Sequence, residues 1–242
     1  NRIKISINEA ELFVILGTDH AAGNAEVTLT RQNYATPWGI MPTDQQAVNE
    51  VTRQSGEEIF HLELHHKNEH SIETAVVWLH HVLDGKPRRI LPILCGSFHS
   101  FIDSAESPSQ DSKISAIIRA LKVIAASSRT IFIAAADLAH VGPVFGDHRP
   151  LDVSAKARIA EQDQKLIQTL VTGEPEDFFT EIKKERDSRR ICGMPPIYVM
   201  LSTMSEVTGI VTGYDQCPAD QDGGSLVSIC GMIFQPKIST SQ

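Results

Sequence analysis

Cysteine, positive charge and long apolar runs are all scarce in this chain of 242 residues. The four cysteines form no C-x-x-C pair, which excludes a disulfide framework and a zinc-ribbon pattern. Lys and Arg number 22 against 30 Asp and Glu, the net charge is −8, and no long basic run occurs, so we expect no nucleic-acid partner. No apolar stretch approaches the ~20 residues that span a bilayer. We therefore expect a protein of the reducing cytoplasm without a membrane partner.

Apolar runs of strand length alternate with helical segments along the chain. This alternation predicts the α/β class: one three-layer domain over 1–242, with a mixed, mostly parallel sheet flanked by helices. The predicted strands are 12–16, 59–65, 90–95, 131–136, 209–214 and 226–234. The predicted helices are 71–83, 111–127, 154–172, 174–187 and 196–206.

Histidines and carboxylates follow several of the predicted strands. Ligands of such sheets bind beyond the carboxyl ends of the strands, so these side chains are candidates for one site. Neutral imidazole is the commonest protein ligand of zinc, iron and copper. The segments are G-T-D-H with His20, E-H-S-I-E with Glu69, His70 and Glu73, and D-L-A-H-V-G with Asp137 and His140.

A fourth candidate segment, R-R-I-C-G-M-P-P-I at 189–197, carries Cys192 just before a predicted helix. The positive end of the helix dipole favours a thiolate there, and so do the charges of Arg189 and Arg190. We expect such a thiolate to act as a metal ligand or as a nucleophile.

Each candidate by itself also has an ordinary structural interpretation. His20 and Asp137 suit capping positions, His70 suits an exposed first turn, and Cys192 suits a buried apolar position. Spacing alone leaves both interpretations open. The remaining histidines are interpreted as structural or solvent-facing, namely His61, His65, His66, His80, His81, His99 and His148.

Taken in order, these segments resemble the Memo family, whose bacterial members are called AmmeMemoRadiSam system protein B. E-H-S-I-E is the family's own string. I-L-G-T-D-H resembles its I-L-G-P-S-H, and I-L-P-I-L-C-G resembles its I-x-P-V-L-V-G strand. A-A-D-L-A-H-V-G resembles its S-S-D-F-C-H-W-G, and I-C-G-M-P-P-I resembles its I-C-G-x-x-P-I.

The resemblance implies a fold similar to that of class III extradiol dioxygenases, which are non-haem iron enzymes. It also implies a metal ion (iron, copper or zinc) held by His20, His70 and Cys192. Asp137 and His140 would line the same pocket, with His140 as the acid or base and Asp137 orienting it. Glu73 would orient the His70 imidazole.

The sequence departs from the family pattern at three places. Many members have a histidine where this chain has Ala75, and Val141 replaces the family's tryptophan, which predicts a less aromatic pocket rim. The family's P-H-A-G-Y segment has no counterpart in the opening N-R-I-K-I-S-I-N. We therefore expect a Memo-like domain from which that N-terminal segment is absent.

Two functions follow, and a third is retained as an alternative. The first is a metal-dependent oxidoreductase of dioxygenase ancestry. The second is a non-catalytic module that binds a small ligand or a phosphorylated or acidic peptide, with Arg189 and Arg190 as anion ligands. The third is a hydrolase with Cys192 as nucleophile and His140 as base. The sequence specifies neither the substrate nor the oligomeric state.

Overall fold

The computed structural model describes residues 7–23 and 26–237. These residues form two compact units: one runs up to Ala136 and includes Pro195–Thr203, and the other comprises Asp137–Met194 and the residues from Met204 onward. One domain over the whole chain therefore stays a prediction. The opening residues 1–6, part of the segment that stands where the family has P-H-A-G-Y, lie outside the described residues.

The first unit is built on a four-stranded sheet. Its strands are β1 (Leu12–Thr18), β2 (Val27–Leu29), β5 (Arg89–Cys95) and β6 (Thr130–Ala135), in the order β2-β5-β1-β6. β1 pairs in parallel with both β5 and β6, whereas β2 is antiparallel to β5. The predicted α/β class with a mixed, mostly parallel sheet is confirmed. Two further short strands, β3 (Tyr34–Thr36) and β4 (Gly39–Met41), form a hairpin.

Helices flank this sheet because β1 is apolar on both faces. Phe13 and Ile15 point to one face and form a buried cluster with Ile72 and Val76 of the helix His70–Val82. Leu12, Val14 and Leu16 alternate onto the other face and are equally buried. The helices of this unit are α1 (Gln45–Ser55), α2 (His65–Asn68), α3 (His70–Val82), α4 (His99–Ile102), α5 (Ser112–Ser127) and most of α8 (Met194–Thr203).

The start of α3 lies tightly against the end of β1. A Cβ atom on Gly17 would come within 2.5 Å of Ser71 Oγ and 2.7 Å of Ile72 Cγ1, so only glycine fits this position without rearrangement. The Ser71 hydroxyl also donates to the Thr18 carbonyl at 3.1 Å. These contacts bring the residues that follow β1 next to the first residue of α3.

The prediction of a strand over 59–65 is wrong. Glu57–Phe60 forms a 3-10 turn and His65 begins α2. The intervening N–H groups bond to carbonyls three residues back, as in Glu63 N to Phe60 O at 2.9 Å and His65 N to Leu62 O at 2.8 Å. The period-two alternation of seven residues is therefore a succession of tight turns, and E-H-S-I-E lies at a junction between two helices.

The second unit contains two helices and an antiparallel sheet. The helices are α6 (Val153–Thr172) and α7 (Pro175–Lys184), and the strands are β7 (His140–Val141), β8 (Val207–Pro218) and β9 (Leu226–Pro236). The sheet order is β7-β9-β8, and the two long strands confirm the strands predicted over 209–214 and 226–234. Across the described part of the chain, every helix is too short or too polar to cross a membrane.

Candidate metal centre

The turn after β1 presents His20 in a defined position. The side chain of Asp19 is buried, and its Oδ1 accepts from the backbone N–H groups of Ala21 at 3.0 Å and Ala22 at 3.1 Å. Its Oδ2 lies 2.8 Å from Nδ1 of His65 on α2. The His65 ring therefore holds this turn, which is consistent with its interpretation as a structural histidine.

Glu69 contacts the rings of the two candidate ligands His20 and His70. Its Oε2 lies 3.0 Å from His20 Nδ1, and its Oε1 lies 3.3 Å from His70 Nδ1. The two imidazoles stack with their centroids 5.2 Å apart and their planes 12° from parallel. The three side chains offer ligand atoms within 4.8 Å of one another, so this trio is a candidate metal-binding group.

The Glu69 carboxylate is held in place by the backbone as well. It caps α3 by accepting from Ser71 N at 3.1 Å, and it accepts from His20 N at 3.0 Å. Burial raises the pKa of Glu69, but the hydrogen bonds from His20 and Ser71 outweigh burial and the net shift is downward. The ionised carboxylate therefore accepts an Nδ1–H from either ring, which leaves Nε2 of that ring with a lone pair for a metal.

A second candidate group lies within the second unit. Asp137, His140 and Cys192 also offer ligand atoms within 4.8 Å of one another. Cys192 Sγ donates to Asp137 Oδ1 at 2.7 Å, and the backbone N–H of Gly193 donates to the Asp137 carbonyl at 3.2 Å. This trio combines an imidazole, a carboxylate and a thiol, a donor set that suits zinc, iron or copper.

The orientation of His140 is set mainly by backbone groups. Its Nδ1 lies 3.1 Å from the Leu138 carbonyl, which can only accept, so Nδ1 carries the proton and Nε2 is the free nitrogen. Asp137 Oδ2 is 3.7 Å from Nε2, beyond hydrogen-bond distance. The ring packs edge-on against Phe145, with centroids 5.0 Å apart. Phe145 thus supplies an aromatic neighbour on the turn after Val141.

Comparison with known proteins identifies the family of this chain. The family described as Memo-like protein matches residues 3–233 of this chain. The chain belongs to the Memo-like family. The match includes both candidate metal-binding groups.

Curated relatives of this Memo-like chain carry the name MEMO1 family protein. The Aquifex aeolicus protein is 26% identical over 237 residues, which are 95% of this chain and 57% of that protein. The Nitrosopumilus maritimus protein is 25% identical over 214 residues, 87% of this chain and 68% of that protein. The Thermococcus kodakarensis protein is 29% identical over 190 residues, which are 76% of this chain and 60% of that protein. The chain thus spans about three fifths of the length of these relatives.

The structure divides the predicted site residues of the Memo-like chain between its two units. His20 and His70 come together in the first unit, whereas Asp137, His140 and Cys192 come together in the second. A single metal shared by His20, His70 and Cys192 stays a prediction. None of the four cysteines, all of which are described, forms a disulfide, as the sequence predicted.

The carboxylate that contacts His70 is Glu69. Glu73, which the sequence analysis assigned to this role, lines a cavity with Tyr34 and His66 and has no hydrogen bond to His70 in the described part of the structure. The sequence places Glu69 among the candidate side chains without a specific role. Its capping position is also what turns the carboxylate back toward His20.

The expectation that Arg189 and Arg190 offer free positive charge is wrong. Arg189 is 4% exposed and pairs with both Asp163 and Glu185. Arg190 Nη2 lies 2.6 Å from Asp147 Oδ1. The Arg189 guanidinium is therefore committed to two carboxylates in the interior, whereas the Arg190 guanidinium is paired at a partly exposed position.

Replacing Glu69 with Gln is expected to weaken metal binding by about 10–100-fold, the usual cost of losing a carboxylate behind a histidine ligand. The amide oxygen can still accept from Ser71 N and so keep the cap, whereas the hydrogen bond from His20 N to the other carboxylate oxygen is lost. Metal affinity is measured by competition with a chelator, and Glu73→Gln is the matched control. A larger loss in Glu73→Gln than in Glu69→Gln would restore the assignment made from the sequence.

Proposed function

We propose that this Memo-like chain is a metal-binding protein and acts as an oxidoreductase that depends on iron or copper. The proposed metal ligands are His20, His70 and Cys192. We also propose that the protein is of dioxygenase ancestry. The observation that carries the proposal is the Glu69 carboxylate, which contacts Nδ1 of both His20 and His70. Paired histidines oriented by one ionised carboxylate form a typical support for a metal ion.

The residues present fit a metal ion. His20 is half-exposed and His70 is largely exposed, with 43% and 77% of their side chains accessible, while the carboxylate behind them is 6% accessible. The imidazoles can thus reach a ligand on their outer side while the carboxylate is shielded from water. A thiolate from Cys192 would complete a set with two nitrogens and one sulfur, which favours soft, redox-active metals.

When bound, the metal would supply a Lewis acid and a site of one-electron redox chemistry. The chain's own residues do the rest. Glu69 keeps the proton on Nδ1 of the ring to which it is hydrogen-bonded. The Leu138 carbonyl keeps the proton of His140 on Nδ1, so Nε2 can accept a proton from a substrate or return it.

Two alternatives receive less support. An anion-binding module would use Arg189 and Arg190, but both guanidinium groups are already paired with carboxylates. A hydrolase would need His140 to take the thiol proton of Cys192, and in the structure that thiol donates to Asp137 Oδ1 at 2.7 Å.

Elemental analysis of protein purified without chelators tests the metal, and oxygen uptake by the reduced protein tests the activity. We expect iron or copper near one equivalent in the wild type. His20→Ala and His70→Ala are each expected to lower metal content at least ten-fold and to abolish oxygen uptake. His99→Ala, which changes another exposed histidine of the first unit, is the control.

Full metal content in both histidine variants would overturn the ligand assignment. Normal metal binding without any oxygen uptake by the wild type would leave the metal site in place and overturn the proposed redox function. The two measurements therefore separate the binding role from the catalytic role.

A further inference from the structure

A cavity in the first unit is lined by residues outside both candidate metal-binding groups. Its volume is about 540 Å³, within the range of ~300–1,000 Å³ that is typical of small-molecule sites. It lies beside β3, α2 and the first turn of α3. The lining residues on which the argument depends are Tyr34, Glu63, Leu64, His66, Lys67 and Glu73.

The Tyr34 hydroxyl in this cavity has a fixed orientation. His66 is buried, and its Nε2 lies 3.0 Å from the Thr28 carbonyl, which can only accept, so Nε2 carries the proton. Burial lowers the pKa of His66 and favours the neutral ring. His66 Nδ1 therefore accepts from the Tyr34 hydroxyl at 2.8 Å, and the phenolic oxygen keeps its lone pairs for another donor.

Two carboxylates add further acceptors to the lining. Glu63 Oε1 accepts from the Thr30 hydroxyl at 2.8 Å and from Arg31 N at 2.9 Å, which holds this side chain in place. Glu73 forms no ion pair with any residue in the described part of the chain. Burial, followed by the charges of Glu73 and Glu69, raises the pKa of Tyr34 well above its usual range, so the phenol stays neutral.

We propose that this cavity binds a small organic amine, with the ligand's ammonium group between Tyr34 Oη and the Glu73 carboxylate. Tyr34, Glu63 and Glu73 offer hydrogen-bond acceptors. Among the six lining residues named above, Lys67 alone carries an ammonium group. A donor-rich cation therefore complements this surface better than an anion does. The aliphatic side chain of Leu64 and the stem of Lys67 suit the hydrocarbon part of such a ligand. This site is independent of the proposed metal chemistry.

Isothermal titration calorimetry of the full chain with 1,4-diaminobutane tests the proposal. Butane-1,4-diol, which has the same length without charge, and succinate, which has the opposite charge, are titrated in parallel. We expect measurable binding of the diamine and at least ten-fold weaker binding of both comparison compounds. Glu73→Gln is expected to weaken diamine binding about ten-fold or more, because a hydrogen bond between two charges is lost.

Tyr34→Phe removes the second acceptor and is expected to weaken diamine binding by a smaller factor, between about three-fold and ten-fold. Glu57→Gln, an exposed carboxylate outside this lining, is the control and should leave the affinity unchanged. The thermal unfolding midpoint of every variant verifies that the chain is folded. Equal affinity for the diamine and the diol, no binding of the diamine, or an unchanged affinity in Glu73→Gln would each overturn the proposal.

Discussion

Replacing Cys192 with Ser is expected to lower the metal content of the purified chain at least ten-fold. A serine hydroxyl stays protonated near neutral pH and is a poor ligand for soft metals, whereas a thiolate binds them well. The hydroxyl can still donate to Asp137, as the thiol does in the native chain, so the local structure should persist. Elemental analysis measures the loss, and the charge-transfer absorption of a copper–thiolate or iron–thiolate bond should disappear with it.

Cys230→Ser is the matched control, because Cys230 lies on β9 in the same unit and outside the candidate group. Its metal content should equal that of the native chain. An unchanged metal content in Cys192→Ser would show that the sulfur is not a ligand. The His20 and Glu69 assignments would stand in that case, since the carboxylate and both imidazoles lie in the other unit.

Replacing Arg189 with Met is expected to destabilise the chain by about 3–5 kcal/mol, the usual cost of removing one partner from a buried ion pair. Asp163 is fully buried, and its described partners are Arg189 and the Tyr214 hydroxyl, which donates at 2.8 Å. Without the guanidinium, a buried carboxylate keeps one neutral donor. Urea unfolding of native and variant chains measures the difference in the free energy of unfolding.

Arg190→Met provides the neighbouring comparison. Arg190 and Asp147 are 40% and 34% exposed, so solvent screens this pair, and its loss should cost at most about 1 kcal/mol. Equal effects of the two substitutions would contradict the inference that burial determines the larger one.

The strands of the parallel sheet could be predicted because their sequence leaves few alternatives. LFVIL, ILPILC and IFIAAA are apolar on both faces, and such runs are stable only between two covering layers. The segment 59–65 was mistaken for a strand because seven alternating residues also fit consecutive turns. Helix α1 was missed, although Asp44 caps it by accepting from Gln46 N and Ala47 N, a signal that the sequence contains.

The sequence was sufficient to predict which segments carry the site residues, but not which side chains contact one another. G-T-D-H and E-H-S-I-E mark His20 and His70, yet the choice between Glu69 and Glu73 depends on where α3 begins. A residue at the cap turns back over the helix end, whereas a residue one turn later points along the helix surface. The sequence likewise shows the charge of Arg189. It does not show that this side chain is buried against Asp163, which lies 26 residues earlier.

The sequence by itself determined the class of this protein: apolar strand runs, ordered histidine and cysteine segments, and the family to which they belong. Local pattern and residue chemistry suffice for those features, because they depend on neighbours along the chain. The tertiary structure alone decided which carboxylate contacts the histidines, which arginine is buried and that the Tyr34 hydroxyl donates to His66. Those contacts join residues that are tens of positions apart, and their energies depend on distance and burial, which no local pattern records.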